Sequence, residues 1–209
     1  MGRDIRGKAV LEIGVGITNS ACYEMASRGA EVCYAYEPRV WLDKRLDQDI
    51  LRKNPAYEKT RGRVVRIKTL DEIGPLGVDA VFSNHVLEYI NSRDLMVLFR
   101  TIRRIIGKNG WMMHNVNYSD HFFKYPFHFY KYSERFWKAI DPGLSRLRIK
   151  DHMDILSGAG FRPVILRRDI NMEAFDIFRR RNRIAPAFSS YGAVDLATVS
   201  GIIFSEGVS

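Results

Sequence analysis

Short apolar runs that end in glycine alternate, along the first 116 residues, with longer stretches whose apolar positions recur every three or four residues. Lys8 to Ile13 (KAVLEI) is a run of strand length stopped by Gly14, and Thr18 to Arg28 carries a helical pattern closed by Gly29. Glu31 to Tyr36 (EVCYAY) is β-branched and aromatic and predicts a second strand, after which Pro38 predicts the first turn of a helix running to about Lys53. Val64 to Ile67 and Val78 to Ser83 predict a third and a fourth strand, separated by punctuation at Gly74-Pro75. Ser92 is the expected N-cap of a helix in which Leu95, Leu98, Phe99, Ile102, Ile105 and Ile106 share one face, before Gly107 and Gly110 stop it and Trp111 to Val116 forms a fifth strand. Strands and helices alternating over short connections predict an α/β fold with a mostly parallel sheet.

After Asn117 the texture changes. Tyr118, Phe122, Phe123, Tyr125, Phe127, Phe129, Tyr130, Tyr132, Phe136 and Trp137 crowd one segment that also holds His121 and His128. Residues 117–150 are expected to form an insertion or lid over the carboxyl edge of the sheet, where open α/β folds bind ligands. Leu147 to Leu156 then reads as a helix ending at Gly158, and Phe161 to Arg167 and Gly201 to Ser205 as the last strands, with Asn171 to Ala187 a basic, irregular stretch between them.

A length of 209 residues fits one globular unit, and an apolar fraction of 46% excludes a disordered chain. No run of about 18 apolar residues is present, the start lacks the apolar core of a signal peptide, and the expected compartment is the cytosol. Cys22 and Cys33 are too few for a disulfide framework or a cysteine zinc site, and no metal is expected. Thirty-three basic against 24 acidic side chains give a net charge of +9, which suits an anionic acceptor, a nucleic acid or an anionic membrane face.

Chemistry is carried first by Glu12-Ile13-Gly14-Val15-Gly16 at the end of the first strand and by Glu37 at the end of the second, 21 residues beyond Gly16. Glycines at such a turn let backbone approach a ligand closely, and an acid in the second position can accept hydrogen bonds from ribose hydroxyls, so a nucleoside-containing cofactor is expected. A dinucleotide site would want a third glycine where this chain has Asn19.

The segment VLEIGVGITNS, together with Glu37, SNHVLEYI (Ser83 to Ile90) and RRIIGKNGWMM (Arg103 to Met113), resembles the class I S-adenosylmethionine-dependent methyltransferases, and Gly158-Ala159-Gly160-Phe161 resembles their entry to the sixth strand. The resemblance implies a Rossmann-like, doubly wound sheet of about seven strands, with the aromatic-rich insertion after the fifth. It implies S-adenosylmethionine as cofactor and S-adenosylhomocysteine as product. Gly14 and Gly16 would pass under the methionine part, Glu12 would face its amino group, Glu37 would hold the ribose, and Asp71 would contact the adenine. Asn84 and His85 would lie beside the sulfonium, and Glu88 falls in a Leu-Glu-aromatic pattern with Tyr89 where many relatives have histidine.

Methyl transfer from a sulfonium is an in-line displacement in which alignment is the main task, but a hydroxyl acceptor gains from a general base. His121 is the expected base, with Asp120 orienting it or binding substrate. His85 is a further candidate that also lines the cofactor cleft, whereas His114, inside a strand, reads as a packed histidine. The run VNYSDHFFKY and the residues that follow resemble methyltransferases of glycan and polysaccharide biosynthesis. That resemblance implies O-methylation of a sugar hydroxyl or related anionic group, with Tyr118, Tyr132 and Trp137 stacking on sugar rings and Arg146 or Arg148 meeting a phosphate or carboxylate. A lipid-linked acceptor would bring the protein to the inner membrane surface. Two other readings stay open: an RNA methyltransferase, suggested by the charge and by Arg179-Arg180-Arg181, and a methyltransferase-like binding subunit without activity.

Overall fold

The apolar runs are buried strands, and the alternation of their side chains divides the interior into two layers. In β1 (Ala9–Ile13), Leu11 and Ile13 face one core while Val10 faces the other. The computed structural model describes residues 3–123, 125–140 and 145–207. After β1 come α1 (Ser20–Ser27), β2 (Val32–Tyr36), α2 (Lys44–Lys53), α3 (Pro55–Thr60), β3 (Val64–Ile67) and β4 (Val78–Asn84). The chain continues through α4 (Ser92–Ile105), β5 (Ile106–Asn117), α5 (Glu134–Ile140), α6 (Ile149–Gly158), β6 (Phe161–Ile170), α7 (Met172–Arg181), α8 (Ala193–Ala197) and β7 (Thr198–Gly207).

The seven strands form one sheet in the order β3-β2-β1-β4-β5-β7-β6, parallel except for β7, which runs antiparallel to β5 and β6. This is the expected Rossmann-like, doubly wound α/β fold. From β1 the sheet grows outward through β2 on one side, and from β4 through β5 on the other, so the carboxyl ends of β1 and β4 flank a crevice. On one face α4 buries Leu95, Phe99, Ile102 and Ile105 at helical spacing against Val81, Met112 and Leu11. On the other face small residues of α1, Cys22 and Ala26, pack closely on Val10, Ala35 and Ala80.

Four local expectations are corrected. The helix expected from Pro38 begins only at Lys44, because the Glu37 carboxylate takes the amides of Arg39 and Val40 and holds that stretch as a loop, while Asp43 caps the helix through Arg45 N and Leu46 N. Asn91, not Ser92, is the N-cap of α4, accepting from Asp94 N. β5 starts at Ile106, and three extra residues on it are accommodated between the pairs Val78/Ile106 and Ala80/Trp111. The basic stretch 171–187 is not irregular: Asn171 caps α7 through Ala174 N, and Phe175 and Phe178, three apart, turn its apolar face inward.

That face completes a third core. Phe127, Phe129, Tyr130 and Trp137 of the segment after β5 pack with Phe175, Phe178, Phe188 and Leu196. The aromatic stripe is therefore mostly interior. Of the segment 117–150, residues 124 and 141–144 lie outside the described residues. No described helix is long and apolar enough to cross a membrane.

Candidate active site

The turn after β1 is shaped by two glycines with left-handed backbone, Gly14 (φ 75°) and Gly16 (φ 67°). A methyl group on Gly14 would lie 2.6 Å from Val86 Cγ2, so this glycine lets the chain after β4 close on the chain after β1. A methyl group on Gly16 would meet nothing within 4 Å, which leaves open space above the turn. Arg66 fastens the turn from outside, its guanidinium donating to Gly16 O (2.6 Å), Asn19 Oδ1 (2.9 Å) and Val40 O (3.1 Å).

Beside the turn a solvent-open cleft of about 390 Å³ is lined by Gly14, Tyr36, Glu37, His85, Tyr89 and Ile90, among others. Glu37 is buried at its edge. Its Oε1 accepts from Arg39 N (3.0 Å) and Val40 N (3.1 Å), and its Oε2 from Gly16 N (3.1 Å). A carboxylate offers about four acceptor positions, so one remains on Oε2. Glu12 does not line the cleft: its carboxyl is buried against α1, accepts from Cys22 Sγ (3.2 Å), and is pushed up in pKa by burial, opposed by Cys22 and Arg66. Asp71 lies in a neighbouring groove that shares Tyr36, Asp94 and Leu98 with the cleft.

After β4 the backbone turns sharply, and His85 adopts φ 56°, a conformation that costs a residue other than glycine about 1–2 kcal/mol. Asn115 Nδ2 donates to Asn84 Oδ1 (2.8 Å) and contacts His85 Nε2 (3.1 Å). An amide nitrogen can only donate, so the neutral imidazole carries its proton on Nδ1. Nδ1 lies 3.7 Å from Glu88 Oε1.

Glu88, on the one-turn helix Leu87–Tyr89, is 4% exposed. Neither carboxyl oxygen has a hydrogen-bond partner among the described residues. Burial pushes its pKa up to about 7, opposed by the nearby backbone amides of Glu88 and Asn117, which approach the carboxyl without reaching hydrogen-bonding geometry. It faces a small pocket with room for about one water molecule, lined also by Asn117, Ser119, His121, Arg146 and Arg148. The Nε atoms of Arg146 and Arg148 are likewise buried without a partner there. Residue type alone gave little reason to single out Glu88; its isolation arises only where the segments after β4 and β5 and before α6 converge.

The structure brings some expected acceptor residues together and diverts others. His121 is exposed on the rim, its ring 5.6 Å from that of Tyr89 and its Nδ1 3.5 Å from Tyr89 Oη. Asp120 does not orient it: the carboxylate accepts from Phe122 N, Phe123 N and Phe129 N at 2.8–2.9 Å and so shapes the turn that leads into the aromatic core. His114 is buried, bonded to Ser83 Oγ (2.8 Å) and pushed down to about 3 by burial, as a packed histidine should be. Trp137 is fully buried, with Phe122, Phe123, Tyr132 and Arg146 against its ring, and presents no face for stacking on a sugar. Tyr118 is buried with its hydroxyl on His152 Nδ1 (3.2 Å), and half-buried Tyr132 stacks between Phe123 and Phe136. The terminal nitrogens of Arg148 donate to the carbonyls of Tyr118, Asp195 and Thr198, a structural task that leaves only Nε facing the pocket. Arg146 pairs with Glu134 and keeps a small exposed surface.

A methyltransferase-domain family model matches residues 1–164. The chain belongs to the methyltransferase-domain family. This methyltransferase shares its fold with an S-adenosylmethionine-dependent methyltransferase from Mesorhizobium loti, at 13% identity and TM-score 0.58 over 98% of this chain and 93% of that one. It is similar to Haemonchus contortus phosphoethanolamine N-methyltransferase 2, solved with S-adenosylhomocysteine, at 17% identity and TM-score 0.59 over 99% of this chain and 50% of that one. It is also similar to geranyl diphosphate C-methyltransferase from Streptomyces coelicolor, solved with Mg²⁺, geranyl diphosphate and S-adenosylhomocysteine, at 11% identity and TM-score 0.60 over 96% and 73%. No curated protein matches the methyltransferase in sequence. Its cleft fits a nucleoside-sized cofactor: Gly16 leaves the space above the turn open, Glu37 keeps an acceptor position toward it, and the volume lies in the range of small-molecule sites. Among the described residues no group of three or more His, Cys, Asp or Glu is placed to hold a metal ion.

Proposed function

We propose that this methyltransferase uses S-adenosylmethionine to methylate a hydroxyl of a sugar or glycan residue, or of a related anionic small molecule. The observation that carries the reading is the polar pocket around Glu88, next to the cofactor cleft and joined to it by the turn Asn84 to Tyr89. The pocket has room for a single hydroxyl-sized group rather than a whole ring, and its buried polar atoms need partners that a hydroxyl or acidic group of an acceptor lying at its mouth supplies.

The cofactor supplies an activated methyl group and leaves as S-adenosylhomocysteine. Gly14 and Gly16 admit it to the carboxyl ends of β1 and β4, and Glu37 offers Oε2 to the ribose. Asn84, His85 and Tyr89 separate the cleft from the pocket and set the line along which the acceptor oxygen approaches. Residues 117–150 act as the acceptor-side lid, with His121 at its rim and Arg146 available to an acidic group of the acceptor.

The test is transfer of labelled methyl from S-adenosylmethionine to free hexoses, methyl glycosides and uronic acids, with ethanolamine-type amines and RNA as comparators. A methyl ether product supports the reading. Label found only on nitrogen or on RNA overturns it. A lipid-linked glycan would bring the protein to an anionic membrane surface, and failure of anionic liposomes to retain it would remove that possibility.

A further inference from the structure

We infer that Glu88 is a catalytic residue of this methyltransferase, the group that accepts the proton from the acceptor hydroxyl as its oxygen takes the methyl group. The inference rests on the hydroxyl reading above. Three independent features lead to Glu88 rather than to the more obvious His121. Its carboxyl is nearly inaccessible yet has no partner for either oxygen among the described residues, an arrangement that destabilises the fold and so calls for a ligand. The carboxyl faces a small pocket, across the turn Asn84 to Tyr89 from the cofactor cleft, that also holds two guanidinium nitrogens without a partner among the described residues. His85, three residues earlier, is held in left-handed backbone with its Nδ1 proton toward Glu88 Oε1, close enough to stabilise the carboxylate but too far to occupy it.

The step balances without a further reactant. The acceptor oxygen forms a bond to the methyl carbon as the bond from that carbon to sulfur breaks, the sulfur keeps the electron pair, and the hydroxyl proton passes to a Glu88 oxygen. The protonated carboxyl then returns its proton to solvent. A carboxyl shifted to about 7 is a far better base than an ordinary glutamate and remains largely ionised in mildly alkaline solution. Burial sets its ionisation, and the titratable and charged groups around it are His85 and Tyr89 on its own turn, Tyr118, Asp120 and His121 after β5, Arg146 and Arg148 before α6, and His152 in the first turn of α6. His121, exposed and engaged with Tyr89, is then a rim residue.

The test uses full-length protein carrying glutamate labelled with ¹³C at Cδ, wild type and Glu88→Gln, titrated from pH 5 to 9 with S-adenosylhomocysteine bound. Wild type should show one carboxyl resonance titrating near 7 that Glu88→Gln lacks, with S-adenosylhomocysteine affinity unchanged within about threefold. On whichever member of the sugar panel is methylated, Glu88→Gln should lower kcat by about a hundredfold or more and lose the rise in rate through pH 7, and Glu88→Asp should recover part of it. Carboxyl resonances that all titrate below about 5.5 overturn the inference whatever the acceptor. Sugar methylation by Glu88→Gln at the wild-type rate with the same pH profile overturns the role of Glu88 and leaves the sugar reading standing. Methyl transfer to amines alone overturns both, and the product identifies which has failed.

Discussion

Replacing Gly14 by alanine separates the two demands placed on the glycine turn. The backbone there sits at φ 75°, which costs an L-residue about 1–2 kcal/mol. The new methyl group would stand 2.6 Å and 2.7 Å from Val86 Cγ2 and Cγ1, where carbon atoms ordinarily keep about 3.5–4.0 Å. Relieving that overlap moves Val86 and the turn after β4, an overpacking cost of about 1–3 kcal/mol. Gly14→Ala should therefore lose about 2–5 kcal/mol in urea unfolding, and Gly16→Ala only the backbone share of about 1–2 kcal/mol. A cycle with Val86→Ala isolates the contact: the double variant Gly14→Ala/Val86→Ala should regain about 1–3 kcal/mol relative to the sum of the singles, while Gly16→Ala and Val86→Ala should add. Gly14→Ala within 0.5 kcal/mol of wild type, or no coupling to Val86, would refute the claim that this glycine exists to let the two strand ends close.

Other outcomes follow from the buried ionisable groups and the turn after β5. Glu88 is raised above its unfolded value of 4.5 to about 7, so its ionisation destabilises the fold increasingly as pH rises from 4.5 to 7, by about 3 kcal/mol before screening by pocket water and about 1–2 kcal/mol after it. Glu88→Gln should accordingly gain stability over wild type at pH 8 and match it near pH 4.5, as followed by urea midpoints. His114 is lowered from 6.5 to about 3, so its stability contribution is lost as pH falls below 6.5; between pH 6.5 and 5 the loss is about 2 kcal/mol, absent from His114→Gln. Asp120→Ala removes the acceptor for three backbone amides and should cost about 2–4 kcal/mol and expose the aromatic segment to protease, whereas His121→Ala should change stability by less than about 0.5 kcal/mol.

Much of this architecture is local and could be read directly. β1, the glycine turn, β2 and its terminal acid are written in consecutive residues, as are the alternating strands and helices that determine the sheet. What failed were signals that compete or converge. Pro38 favours a helix start, but the Glu37 carboxylate beside it takes the same amides and holds a loop. The arginines at the end of α7 obscured a helix whose cap and two buried phenylalanines were visible in the sequence. The aromatic stripe has the composition of a stacking surface, yet Phe175, Phe178 and Phe188, some 40 to 60 residues further on, supply the other half of a core, and Trp137 lies inside it. Asp120 and His121 are adjacent in sequence and serve different ends because the turn directs the carboxylate toward backbone amides. Glu88 owes its isolation to segments that meet only in the folded chain.

The most direct test of the account is calorimetric titration of S-adenosylhomocysteine into wild type and Gly16→Ala, a variant expected to stay folded while placing a methyl group in the open space above the turn. A cofactor seated over the glycine turn predicts one site per chain in wild type and at least tenfold weaker binding in Gly16→Ala. Absence of binding by wild type, or equal affinity in the two proteins, would contradict it.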